Sequence, residues 1–195
     1  MIKKKNFIAV LICIMLFSGF SSTLVGAQNR LLIVVDVQRA FYENTQLKDQ
    51  TDEMVGNINR IIERFDPQNV IYVKAASKVL EFSFLHIRAL TVPAPEIDDR
   101  LKIVSSNIFT KTEGDAFTVD SLNMYLTSCN AKEIVLVGLM AEKCIYATAL
   151  GGLKKGYDMY IVPEAVIGQT PEKKATAIEK MTKKGIRLLS MDEVK

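Results

Sequence analysis

The sequence predicts an α/β fold: a three-layer α/β/α sandwich on a mainly parallel six-stranded sheet of order 3-2-1-4-5-6. Short, continuously apolar runs at 31–35, 70–73 and 134–137 have the length and β-branched content of strands buried on both faces. Segments with apolar residues at three- and four-residue intervals alternate with them, as amphipathic helices require. The connections are long enough for right-handed crossovers between parallel neighbours.

The first strand, 31–35, is closed by Asp36. A carboxylate directly after a fully buried strand is costly unless it is exposed at the sheet edge or hydrogen-bonded. Asp36 is therefore a turn or N-cap residue, or a general base. Gln38 and Phe41 follow, with Phe41 packing near the same edge. Met54, Ile58, Ile61, Ile62 and Phe65 predict a helix over 52–65, and Pro67-Gln68-Asn69 turns the chain into the second strand at 70–73.

Residues 75–90 carry Phe82, Phe84, Leu85, Ile87 and Leu90, which suit a short helix or irregular packing over the sheet edge. They include His86, the chain's only histidine, with no repeated His/Asp/Glu pattern to build a metal set. Pro93 and Pro95 punctuate a loop in which Glu96, Asp98 and Asp99 read as a solvated turn. The third strand is expected at 102–105, with Lys111 in the loop beyond it, and a helix at 119–126 through Leu122 and Tyr125.

The fourth strand, 134–137, ends at Gly138, and beyond Glu142 the residues Ile145, Ala149 and Leu153 recur at helical spacing until Gly156. Cys144 thus opens a helix, where unsatisfied N–H groups and the helix field favour a thiolate. A buried structural cysteine is the ordinary alternative. A fifth strand at 159–162 stops at Pro163. Thr170 as N-cap and Pro171 at the first helical position start the last helix, with Ala175, Ile178 and Met181 on its inner face. The sixth strand is 186–189.

In this order strands one and four are neighbours at the switch point of the sheet, where ligands bind in such folds. Asp36 and Cys144 then converge on one crevice from distant parts of the chain. Lys111, on the same edge, would orient the carboxylate and hold the thiol's pKa low, although taken alone it reads as a solvated loop lysine. Cys129 and Cys144 flank the fourth strand, an element about 20 Å long at about 3.3 Å per residue. A disulfide needs Cα atoms within about 7 Å, so both are expected as free thiols.

The chain begins with Lys3, Lys4 and Lys5, an apolar stretch over 7–17 and Val25-Gly26-Ala27, the pattern of a secretory signal peptide cleaved after Ala27. The expected layout is a signal peptide at 1–27 and one domain at 28–195, exported to the periplasm or outside without stable membrane insertion. The whole chain has 25 Lys+Arg against 22 Asp+Glu, a net charge of +3. The three leader lysines account for that excess, so the domain is neutral and nucleic-acid binding has no compositional support.

With these residues in hand, the chain resembles the isochorismatase-like cysteine hydrolases, the superfamily of nicotinamidases, carbamoylsarcosine-type amidases and isochorismatases. The opening Asp-x-Gln-x-x-Phe is matched by Asp36, Gln38 and Phe41. The lysine loop ending in Ala-Phe is matched by Lys111, Ala116 and Phe117, and the glycine–cysteine–Thr-Ala pattern by Gly138, Cys144, Thr148 and Ala149. Gly156 and Tyr157 match the later Gly-Tyr. Asp115 departs from the usual small residue, and Ala141-Glu142 from the usual Thr-Asp.

The resemblance implies that Cys144 attacks an electrophilic carbon, Asp36 takes its proton and Lys111 supports both. It implies an oxyanion hole from the backbone N–H groups of Met140 and Cys144, beside a cis Leu139–Met140 bond, and a pocket around Gln38, Phe41 and Phe117. Nicotinamidases carry further histidines between the second and third strands. This chain has only His86 there, so neither zinc nor any other cofactor is expected. The expected activity is hydrolysis of a small amide or related C–N substrate through a thioester. The alternatives are a non-catalytic small-molecule-binding member of the fold, suggested by Glu142 and Asp115, an isochorismatase-type hydrolase, and a thiol redox protein, which the lack of a Cys-x-x-Cys pair disfavours. Self-association into a homo-oligomer suits so compact a domain, though no interface is legible.

Overall fold

Six parallel strands form the central layer of the computed structural model, which describes residues 29–83 and 86–194. The expected leader at 1–27 lies outside those residues, as do Phe84 and Leu85. The strands are β1 (Asn29–Val35), β2 (Val70–Ala75), β5 (Ile108–Lys111), β6 (Ala131–Leu139), β7 (Asp158–Ile167) and β8 (Arg187–Leu188), in the order β5-β2-β1-β6-β7-β8. Numbered within this sheet alone, that is 3-2-1-4-5-6, as the sequence predicts.

The pleat sends alternate residues to opposite faces, which is why the inner strands are apolar throughout. Leu31, Ile33 and Val35 of β1 enter one core with α2 (Asp120–Ser128), α3 (Tyr146–Lys154) and α4 (Pro171–Thr182). Leu32 and Val34 enter the other, under α1 (Lys48–Ile62). Met54, Ile58 and Ile61 make the inner stripe of α1, each at most 1% exposed, and each contributes about 1.5–3 kcal/mol by leaving water. At the start of α4, Thr170 Oγ1 accepts the N–H of Lys173 at 3.2 Å, with Pro171 following the cap as expected.

Three segments differ from expectation. Residues 77–92 form neither helix nor irregular packing but an antiparallel hairpin, β3 (Ser77–Ser83) with β4 (His86–Val92), Ser77 opposite Val92. The third strand of the main sheet is Ile108–Lys111 instead of 102–105. Ile103 and Val104 are exposed, and their segment is tied to β2 through a side chain: Tyr72 Oη donates to Lys102 O at 2.8 Å and accepts from Val104 N at 3.1 Å. The fifth strand runs on through Pro163. Leu136 pairs with Ile161 but Gly138 with Val166, so β7 bulges around the proline, which has no N–H to give a ladder.

Candidate active site

The carboxyl ends of β1 and β6 approach closely because Gly138 stands opposite Val35. Its φ is +117°, and a Cβ there would lie 2.1 Å from the Val35 carbonyl oxygen, so only glycine permits this pairing. Asp36 follows immediately with φ 57°, a left-handed conformation that costs a non-glycine residue of order 1 kcal/mol. Its N–H donates to Val73 O at 2.8 Å. The strained residue is thus held by β2, and its side chain is almost fully buried.

Lys111 is not a solvated loop residue. It is the last residue of β5, paired in register with Ala75, and is 1% exposed. Its Nζ lies 2.9 Å from Asp36 Oδ2, 3.2 Å from Cys144 Sγ and 3.1 Å from the Glu113 carbonyl oxygen. One ammonium therefore joins the carboxylate and the thiol predicted to meet here, with all three of its N–H donors engaged. Asp36 Oδ1 is buried and has no hydrogen-bond partner among the described residues.

Cys144 lies in a π-helical turn, Ala141–Ile145, and α3 proper begins only at Tyr146. The thiol is consequently not at the open N-terminus of a regular helix. Its pKa is raised, first by burial and then by the nearby Asp36 charge, with Lys111 opposing. This reverses the expected low value: one cation shared with a carboxylate does not outweigh desolvation. Burial also raises Asp36, again against Lys111. Neither Cys144 nor Cys129 is in a disulfide.

The Leu139–Met140 peptide bond is cis, at the position the resemblance implies. Met140 O accepts the N–H groups of Lys143 at 2.9 Å and Ile145 at 3.2 Å, closing the turn that carries Cys144. Gln38 is fully buried, and its side chain is spent on the backbone. Oε1 accepts Ala75 N at 2.7 Å, while Nε2 donates to Ala75 O at 3.1 Å and Pro95 O at 2.8 Å. It thereby fixes the end of β2 opposite Lys111. Phe41 is half-buried and packs with Met140 against the α1-side core. Phe117 lies in the opposite core, stacked on Tyr157 with ring centroids 5.5 Å apart.

The unusual Asp115 is accommodated locally. Its Oδ1 accepts Phe117 N at 2.8 Å, and its Oδ2 lies 2.1 Å from where a Cβ of residue 151 would stand, a space left by Gly151. The solvated turn expected at 96–99 is overturned at Asp98, which is 1% exposed. It accepts Tyr42 Oη and is clasped by Arg100 Nε at 2.9 Å and Nη2 at 2.5 Å. Two contributions escaped sequence reasoning. The Glu113 carbonyl left no signal in its side chain. Thr148, visible only as a motif residue, accepts Ala116 N at 3.1 Å and ties α3 to the lysine loop.

A family model described as the isochorismatase domain matches residues 30–193, nearly the whole described fold. The chain belongs to the isochorismatase family. Among curated relatives it is similar to the secreted isochorismatase effector Isc1 of Verticillium dahliae, 24% identical over 148 residues, 76% of this chain and 77% of that one. Among solved structures it is similar to the pyrazinamidase of Pyrococcus horikoshii in complex with zinc. That match has a TM-score of 0.61 and 25% identity, covering 83% of this chain and 99% of the other. The N-carbamoylsarcosine amidase of Thermoplasma acidophilum superposes with a TM-score of 0.65 at 22% identity, covering 84% and 97%.

The zinc of the Pyrococcus horikoshii pyrazinamidase raises the question of a metal here. Among the described residues no three His, Cys, Asp or Glu side chains converge to hold one. His86, the sole imidazole, is exposed on the β3–β4 hairpin. The described residues supply no ligand set that fits a zinc ion.

Proposed function

We propose that this isochorismatase-family chain is a cysteine hydrolase that cleaves the C–N bond of a small amide or carbamoyl compound through a thioester. The observation that carries the reading is the buried Lys111 ammonium between Asp36 Oδ2 and Cys144 Sγ, at 2.9 and 3.2 Å.

At rest the thiol holds its proton, because burial and Asp36 oppose the thiolate. A carboxylate whose own pKa is raised is a better matched acceptor for that proton, so transfer from Cys144 to Asp36 becomes less uphill. Lys111 remains charged beside the new thiolate and stabilises it. Sulfur then adds to the substrate carbonyl, and the backbone N–H groups of Met140 and Cys144 receive the developing oxyanion. Collapse breaks the C–N bond, and the leaving nitrogen takes the proton from Asp36 and departs as ammonia or an amine. Water, deprotonated by Asp36, attacks the thioester. The products are a carboxylic acid and the free thiol.

Export is part of the proposal. It rests on the leader pattern at 1–27 and on the secreted relative in Verticillium dahliae. Among the described residues no helix is long and apolar enough to cross a membrane. A panel of small amides, carbamoyl compounds and isochorismate tests the activity. Hydrolysis of a C–N substrate that disappears in both Cys144→Ala and Asp36→Asn is expected. Turnover that survives in Cys144→Ala, or is confined to isochorismate, defeats the assignment.

A further inference from the structure

Glu142 stands two residues before Cys144 in the π-helical turn, and the structure gives its carboxylate a definite task. Oε1 accepts the backbone N–H of Gln169 at 2.9 Å. Gln169 lies in the short connection between Ile167, the end of β7, and Thr170, the cap of α4. The second oxygen, Oε2, is buried beside Gly168 and has no hydrogen-bond partner among the described residues. A Cβ on residue 168 would stand 2.8 Å from Lys174 Cβ, 2.9 Å from Oε2 and 3.0 Å from Lys174 Cα, so the glycine leaves room for α4 as well as for the carboxylate. The rest of the turn is held by its own backbone, with Tyr146 N donating to Ala141 O, and by the burial of Ala141 and Ile145. Met140 O takes both Lys143 N and Ile145 N, and the turn packs on α3 and α4.

We propose that Glu142 is a positioning residue, which pins the nucleophile's turn to the β7–α4 connection and so fixes the Cys144 thiol and N–H against Lys111 and Asp36. The proposal rests on Cys144 being the nucleophile. Glu142 touches none of the reacting atoms. Its hydrogen bond is charge-assisted and therefore among the stronger kind. Without it the turn can shift, and a displacement of about 1 Å in a reacting group costs on the order of 100-fold in rate.

The test needs no substrate. The full chain is alkylated with iodoacetamide, labelling at Cys144 and Cys129 is followed separately by peptide mass spectrometry, and thermal melting checks the fold. Glu142→Ala is expected to slow labelling of Cys144 about tenfold or more while leaving Cys129 unchanged. With the amide found by the panel, kcat should fall and KM should stay within about threefold, since orientation is lost and substrate contacts are not. Glu142→Gln keeps an acceptor for the Gln169 N–H and should recover labelling to within about threefold of the natural protein. Glu142→Asp, whose side chain is one methylene shorter and falls short of the Gln169 N–H, should mimic Glu142→Ala, and it supplies the answer if Glu142→Ala folds poorly. Cys144 labelling within twofold of natural in both Glu142→Ala and Glu142→Asp overturns the proposal, as does a Glu142→Gln as slow as Glu142→Ala. If amide turnover of the natural protein survives in Cys144→Ala, it is the nucleophile assignment itself that fails.

Discussion

Replacing Lys111 by methionine removes the ammonium and keeps most of the side chain's volume. The choice matters because Lys111 is 1% exposed; alanine would add a cavity to the loss of charge. Two unit charges 2.9 Å apart attract by about 6 kcal/mol at an effective dielectric constant near 20. Burial already raises Asp36 with the lysine present, so without it the carboxyl rises further and its protonated form is favoured. A protonated Asp36 accepts nothing from Cys144. Losing a general base costs about 10²–10⁴-fold, and that is the expected fall in kcat/KM for the amide identified by the panel. The acid limb of the pH–rate profile should move to higher pH, because ionising both Asp36 and Cys144 becomes harder once their shared cation is gone. The limb reports the coupled cluster and not one residue. Iodoacetamide labelling of Cys144 across pH gives the same shift without a substrate. A Lys111→Met variant that keeps half of the natural kcat/KM at its optimum, or whose acid limb stays in place, refutes this account.

Other expectations concern the scaffold and the metal. Gly138→Ala should destabilise the domain by about 3 kcal/mol or more in urea unfolding, because its Cβ would meet Val35 O at 2.1 Å with φ at +117°; a loss under about 1 kcal/mol contradicts the stated packing. Asp98→Asn should cost about 2–3 kcal/mol at neutral pH, since the buried acceptor of Tyr42 and Arg100 is weakened. Arg100 holds the Asp98 carboxyl well below the usual range. Its contribution is therefore complete above the unfolded value of about 4 and disappears as pH falls through the folded one. The stability gap between natural protein and variant should narrow in acid, and a gap that widens there gives the wrong sign. EDTA should leave amide turnover unchanged; loss of activity with EDTA and recovery with zinc would reverse the ligand-set argument.

The parts of the fold legible in the sequence are those that burial on both faces dictates. Strands β1, β2 and β6 are near-continuous apolar runs because each has neighbours on both edges and helices over both faces. The edge strand β5 lacks that signature, with an exposed Ile108 and a polar Thr110 in Ile-Phe-Thr-Lys. The neighbouring Ile103 and Val104 looked more like a strand and are exposed. The hairpin was illegible for a related reason: its strands pair with each other and not with the sheet. Pro163 read as a stop because a proline inside a ladder is rare, yet a bulge lets β7 carry it.

At the site, topology was a better guide than local signals. Asp36 and Cys144 were expected together because strands one and four had to be neighbours, and the register of β1 on β6 places Val35 opposite Gly138 at that edge. What local reasoning attached to each residue fared worse. A helix-start cysteine was expected to be acidic, but the π-helical turn and the burial reverse the direction. Lys111 was expected in a loop beyond the third strand, but the displaced third strand ends on it and buries it. These two differences have one cause, because a site closed enough to hold an ammonium between a carboxylate and a thiol must also desolvate all three. In the proposed mechanism the thiolate is then costly at rest and becomes favourable only as the proton moves to Asp36, so the lysine, carboxylate and thiol would act as one group, with no single member carrying the reactivity alone.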